Sequence, residues 1–138
     1  MHSESTEFAE LQVGTPIGPF RVTVSAAANE RYWRAAGVDH PALQAGALYP
    51  PIAANLTILC FQQTCPDAMI QTRQRLQCHR IAPAGSELVT FGRVVDRYEK
   101  RGREYVDVEV AIIAADRPDA LLWTSWVTFT PTATLGVS

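Results

Sequence analysis

Sixteen residues from Pro50 to Cys65 (Pro-Pro-Ile-Ala-Ala-Asn-Leu-Thr-Ile-Leu-Cys-Phe-Gln-Gln-Thr-Cys) constrain this chain more than any other stretch. Proline suits the first turn of a helix, where its missing N–H would have no intrahelical partner. From Ile52 to Phe61 nearly every side chain is apolar or small, and none carries a charge. An amphipathic surface helix would carry a polar stripe. Only Asn55 and Thr57 interrupt this run before the glutamines, so the pattern predicts a helix buried nearly all round, closed by Pro66. Such a helix needs a wrapping, and the rest of the chain reads as strands.

Phe20-Arg21-Val22-Thr23-Val24 alternates apolar and polar residues, as a half-buried strand does. Ser25 is placed to cap a short helix from Ala26 to about Ala36, with Gly37 at its end and Ala28, Tyr32, Ala35 and Ala36 on one face. An irregular segment from Val38 to Tyr49 leads into the apolar helix, and a loop held between two helices is a good place to build a site. Four strand patterns follow: Ile70 to Arg80, Glu87 to Glu99, Arg103 to Ala115 and Ala120 to Thr130. Ala82-Pro83-Ala84-Gly85, Lys100-Arg101-Gly102 and Asp116-Arg117-Pro118-Asp119 supply the turns between them.

This order predicts an α+β chain, with a curved antiparallel sheet wrapped around one long buried helix, the arrangement known as the hotdog fold. Residues 1–10 read as a flexible leader, 11–132 as a single domain and 133–138 as a tail. At 138 residues there is length for a real core, and 47 % apolar against 19 % charged residues excludes a disordered chain. The net charge is −2, with basic residues scattered singly, so no nucleic-acid partner is expected. No apolar run approaches a membrane span. Cys60, Cys65 and Cys78 cannot all pair, and their apolar neighbours suggest reduced, buried thiols, which points to the cytoplasm. Zinc held by Cys60, Cys65 and His79 is disfavoured by spacing, so no metal is expected.

Three stretches resemble the MaoC-like hydratases and dehydratases of 3-hydroxyacyl thioesters, over about residues 10–130. Tyr49-Pro50-Pro51 is similar to the proline pair at the helix start of many non-catalytic halves of these enzymes. His79 to Leu88 resembles the family's HRP-like run and its aGD-like turn, and Arg93 to Tyr105 resembles the hairpin that follows. The resemblance implies the hotdog fold, a hydro-lyase activity exercised within a complex, and an acyl-CoA or acyl-carrier-protein thioester as ligand. It also implies a homodimer, or a heterodimer with a catalytic MaoC-like paralogue, and no cofactor.

The family's catalytic loop reads roughly G-D-x-N-P-[LIV]-H. Aligned on Pro41, this chain places Val38 at the Asp position and Leu43 at the His position. Moved by one residue, Asp39 meets the Asp position but Gln44 falls on the His. Neither register supplies a pair of proton-transferring groups. Asp39 and His40 stand as a displaced catalytic dyad or as a turn before Pro41, and the turn is favoured. The family's A-H-G on the long helix, whose glycine N–H addresses the thioester carbonyl, matches Ala53-Ala54-Asn55.

The substrate-binding positions expected on this basis are Tyr49, Ile52, Asn55 and Arg80. Inside an apolar helix, Asn55 needs a partner, either a thioester carbonyl or a loop carbonyl. Tyr49 lines a tunnel or fills the core, and His79 reads as structural. Arg73, Arg75 and Arg80 either draw the phosphates of coenzyme A or a carrier arm, or decorate an exposed strand face. The chain therefore reads as the half of a hydratase or dehydratase that lacks the usual dyad. Two alternatives stand beside it: a homodimeric hydratase or thioesterase with a displaced site, and a non-catalytic module for an acyl or polyketide ligand.

Overall fold

The computed structural model describes residues 6–37, 41 and 45–132. Five antiparallel strands form one sheet: β1 (Pro16–Thr23), β2 (Met69–Cys78), β3 (Glu87–Lys100), β4 (Arg103–Ala114) and β5 (Arg117–Pro131), in the spatial order β1-β3-β4-β5-β2. Among the described residues, α1 (Ala26–Ala35) and α2 (Ile52–Thr64) accompany them, with a short 3-10 turn at Phe8–Glu10. The last three strands, linked by hairpins, pair in long registers, and β4 carries the clearest period-two patterning. On β4, Val106, Val108, Val110, Ile112 and Ala114 face the core. Asp107 and Glu109 alternate with them on the other face.

The sheet curls around α2, as expected of a hotdog fold. Ile52, Ala53 and Leu56 pack among Leu48, Leu88, Ile112 and Trp123 at one end of the sheet. Cys60 and Phe61 pack among Ile17, Val94, Val108 and Val127 at the other. The Phe61 ring stacks on Phe129 at 4.1 Å and 8°. Strand β1 approaches α2 closely at Gly18, where a Cβ would lie 2.7 Å from the Thr90 carbonyl oxygen and 2.8 Å from Cys60 Sγ. Only glycine fits that contact, and its φ of +82° suits glycine as well.

Four expectations change. Helix α2 is not buried all round: Pro51, Asn55, Leu59 and Gln62 form an exposed stripe, and Leu59 retains 44 % of its accessible surface. A single five-stranded sheet is too narrow to enclose a helix, so one side is left open. Helix α1 buries Asn29 and Trp33, not the Ala28–Tyr32–Ala35 face. The segment read as a leader docks from residue 6 onward. Phe8 is buried, its N–H donates to Asp67 Oδ2 at 2.9 Å, and the Arg97 guanidinium donates to the Phe8 and Leu11 carbonyls. The turn expected over Asp116–Asp119 closes earlier, at residues 115–116, and Pro118 lies within β5.

Candidate functional site

The start of α2 is held by a polar clamp from α1. Ser25 caps α1 by accepting from the Ala28 N–H at 3.1 Å, which fixes the helix's rotation. One turn apart on the inner face, Asn29 and Trp33 reach the same backbone. Asn29 Nδ2 donates to the Ala47 carbonyl at 2.8 Å and Trp33 Nε1 donates to it at 2.9 Å. Asn29 Oδ1 accepts from the Tyr49 N–H at 2.8 Å. Asn29 is buried, and bonding both its amide ends offsets the cost of removing it from water.

The Tyr49 ring is half-buried in an aromatic group. It stacks on Tyr32 at 6.3 Å and meets the Trp33 ring edge-on at 5.1 Å. On the other side, residues 46–48 pair with the Pro-Ala-Gly turn of the second half. The Leu48 N–H donates to the Ala82 carbonyl at 2.8 Å, and the Ala84 N–H donates to the Gly46 carbonyl at 2.8 Å. The chain can reverse on both sides of that bridge because Gly46 and Gly85 take φ of +76° and +88°.

Tyr49 and Ile52 therefore lie at one end of the molecule, at the head of α2. Ile52 is buried in the core beneath Tyr49 and packs with Leu48 and Leu56. Asn55 does not point into the apolar interior. It sits on the exposed stripe of α2. Arg80 is exposed and lines a different cleft, of about 370 Å³, with Ile81, Ser86, Asp116, Arg117 and Leu122. The structure thus brings Tyr49 and Ile52 together and places Arg80 in another cleft. Asp39 and His40 lie outside the described residues, as do Val38, Leu43 and Gln44.

The head of α2 offers few free donors. The N–H groups of Ile52, Ala53 and Ala54 donate to the carbonyls of Tyr49, Pro50 and Pro51 at 3.1, 3.2 and 3.1 Å. These tight first-turn bonds take up the helix's usual orphan donors. Around Tyr49 the described neighbours are Tyr32, Trp33, Asn29, Ile52 and backbone. That set can position and shelter an apolar ligand, but it contains no group that exchanges protons near pH 7.

None of the cysteines is poised as a nucleophile. Cys60 Sγ donates to the Thr90 carbonyl at 3.4 Å, and burial pushes its thiol up from 9.0 to about 12. Burial also raises the Cys65 thiol, whose Sγ lies 4.0 Å from Asp67 Oδ2. Cys78 is exposed. His79 is exposed on β5's flank, with Nε2 2.8 Å from Thr124 Oγ1, a structural contact. Cys60, Cys65 and His79 do not converge, and among the described residues no three His, Cys, Asp or Glu side chains form a metal-ligand cluster. Among the same residues no helix is long and apolar enough to cross a membrane.

Sequence reasoning missed Asn29 and Trp33. The available signal was their four-residue spacing behind the Ser25 cap, which places both on one helical face.

No protein-family profile matches the chain, and no curated protein sequence matches it significantly. Its architecture has clear counterparts among solved structures. One is the HadBC (3R-hydroxyacyl-ACP dehydratase) complex of Mycobacterium tuberculosis, at a TM-score of 0.71 and 19 % identity over 86 % of this chain and 96 % of that one. Another is the R-hydratase PhaJ1 of Pseudomonas aeruginosa, at 0.73 and 15 % identity over 89 % and 83 %. A third is a variant of the fluoroacetyl-CoA-specific thioesterase FlK, at 0.65 and 10 % identity over 87 % of each chain. At these identities the likeness establishes the fold. The chain is a hotdog-fold protein, and its structural neighbours are hydratases, dehydratases and thioesterases.

Proposed function

We propose that this chain is an acyl-thioester-binding, MaoC-like subunit of an enoyl-CoA hydratase or 3-hydroxyacyl dehydratase, and that a paralogous partner supplies the proton-transferring dyad. The observation that carries the reading is the register of the loop before α2. Anchored on Pro41, it puts Val38 and Leu43 where such enzymes need an acid and a base. Neither side chain moves protons, and a positioned acid or base contributes about 10²–10⁴-fold.

The geometry supports a sheltering role. Tyr49 is rigidly mounted at the head of α2, and the apolar Leu59 leaves the helix open along one side. Among the described residues no strand pairs with β2 beyond β5, and Ile70 on it keeps 37 % of its surface. Pairing of β2 with a second hotdog chain would satisfy that edge and cover the open helix stripe. We expect an association burying more than about 1,000 Å². HadBC, a complex of 3-hydroxyacyl dehydratase chains, supports a paralogue as that partner. The three cysteines are unpaired, which suits the reducing cytoplasm.

A second reading, a homodimeric hydratase or thioesterase, draws on Asn55. Its exposed position on the open stripe leaves its amide available to a thioester, with Asp39 and His40 as the displaced acid and base. Crotonyl-CoA hydration by the chain alone, by its Asp39→Asn/His40→Gln variant and by the chain co-expressed with a dyad-bearing paralogue separates the two. Inert chains activated by the paralogue support the subunit reading. Brisk turnover by the chain alone, abolished in the double variant, overturns it in favour of the displaced site. Acyl-CoA binding without turnover under any condition overturns it in favour of a binding module.

A further inference from the structure

The outer face of the sheet, opposite α2, carries an organised cleft of about 480 Å³ lined by Arg73, Arg75, Val95, Asp107, Trp126 and Thr128. Arg73 and Arg75 leave the same face of β2, about 7 Å apart by strand geometry. The Arg75 guanidinium lies 4.0 Å from the Trp126 ring centre. Stacking fixes the plane of the guanidinium and leaves its N–H edge free for an acceptor. Trp126 is itself fixed, since its Nε1 donates to Glu109 Oε2 at 2.7 Å.

The carboxylates here are not used to neutralise the arginines. Asp107 accepts from Thr128 Oγ1 at 2.6 Å and from the Tyr98 hydroxyl at 3.4 Å, and both bonds fall on Oδ1. Oδ2 accepts from no described residue. Neither Arg73 nor Arg75 forms an ion pair among the described residues. An arginine that merely guards a sheet edge needs no stacking platform. A surface ion-pair network would have joined Asp107 to Arg73.

We infer that this cleft binds a phosphorylated ligand that also carries a hydroxyl group, of the nucleotide or sugar-phosphate class. The two guanidinia take phosphate oxygens, and Asp107 Oδ2 accepts from the hydroxyl. The site is separate from the head of α2, because it lies on the opposite face of the sheet. Edge pairing of β2 would use backbone groups and leave the cleft open. The inference does not depend on the thioester reading.

The test is titration of the full chain with ADP, 3′-phosphoadenosine 5′-diphosphate and pyrophosphate, followed by tryptophan fluorescence and calorimetry. ADP is expected to bind, and its fluorescence response should vanish in Trp126→Phe. Arg73→Gln and Arg75→Gln should each weaken binding by about tenfold or more, since each removes a charge-assisted bond. Asp107→Asn should weaken ADP while leaving pyrophosphate unchanged. Equal binding of the two nucleotides assigns a free nucleotide as ligand. A preference of about tenfold for the 3′-phosphorylated one assigns the nucleotide of a thioester carrier. ADP binding no tighter than pyrophosphate, or binding untouched by both arginine changes in variants with native circular dichroism, overturns the inference. Gln62→Ala, on the exposed side of α2 and away from the cleft, should leave this binding unchanged.

Discussion

Asn29 Oδ1 accepts the Tyr49 backbone N–H at 2.8 Å across twenty residues of sequence, and this bond ties α1 to the head of α2. The same side chain donates to the Ala47 carbonyl, so a single amide spans both ends of the short segment that enters the central helix. The orientation of the Tyr49 ring is thus set by a residue on another element.

Asn29→Ala should therefore destabilise the fold by about 1–3 kcal/mol, since it leaves the Tyr49 N–H without its buried acceptor. Urea unfolding followed by far-UV circular dichroism measures this. The near-UV spectrum should change as well, because the Tyr32–Tyr49–Trp33 group loses its fixed geometry. A variant as stable as wild type with an unaltered near-UV spectrum would show that the clamp does not hold the site.

Two leucines three residues apart on α2 should behave differently. Leu56 keeps 3 % of its surface, and Leu56→Ala should cost about 2–5 kcal/mol through lost transfer energy and a residual cavity. Leu59 keeps 44 %, and Leu59→Ala should change the stability of the isolated chain by less than about 0.5 kcal/mol. If a partner covers the open stripe, the same change should weaken association, read by sedimentation equilibrium. A large loss of monomer stability from Leu59→Ala would contradict the exposed stripe.

The Cys60 thiol makes alkaline stability depend on burial. In the unfolded chain the thiol ionises around 9.0, whereas burial holds it protonated in the fold up to about 12. Above pH 9 the unfolded state therefore binds fewer protons than the native state, and stability falls as pH rises. Below pH 9 this contribution is flat. The loss from this group is about 1.4 kcal/mol per pH unit between the two values. Cys60→Ala should lower stability at pH 7 but show a shallower decline from pH 9 to 11, measured by denaturant midpoints at each pH. Equal slopes in the two proteins would remove Cys60 as the cause.

Much of the architecture was legible from local pattern. The charge-free run after Pro50-Pro51 marked the central helix. The alternation in Tyr105-Val106-Asp107-Val108-Glu109-Val110 marked a strand with one buried face, and Lys100-Arg101-Gly102 marked its hairpin. These signals are local because a strand or a helix start is decided by the periodicity and turn chemistry of its own residues. Residue identity shows that Val38 and Leu43 carry no acid or base, and whether they stand at the working positions of a site is left to the hydration assay.

What the sequence could not decide was which side of each element is covered. The apolar run over Ile52–Phe61 looked buried nearly all round, yet Asn55 and Leu59 are exposed, because the width of one sheet, and not the composition of the helix, limits how far it can wrap. Nothing local to Asn29 and Trp33 marks them as a clamp, because their shared partner, the Ala47 carbonyl, is brought within hydrogen-bond reach only by folding. Arg80 carries the same charge as Arg73 and Arg75, but it lies past the end of β2 and lines a separate cleft, while Trp126 organises Arg75. Sequence settles the period of burial along an element. The direction of burial depends on long-range packing, which only the tertiary structure fixes.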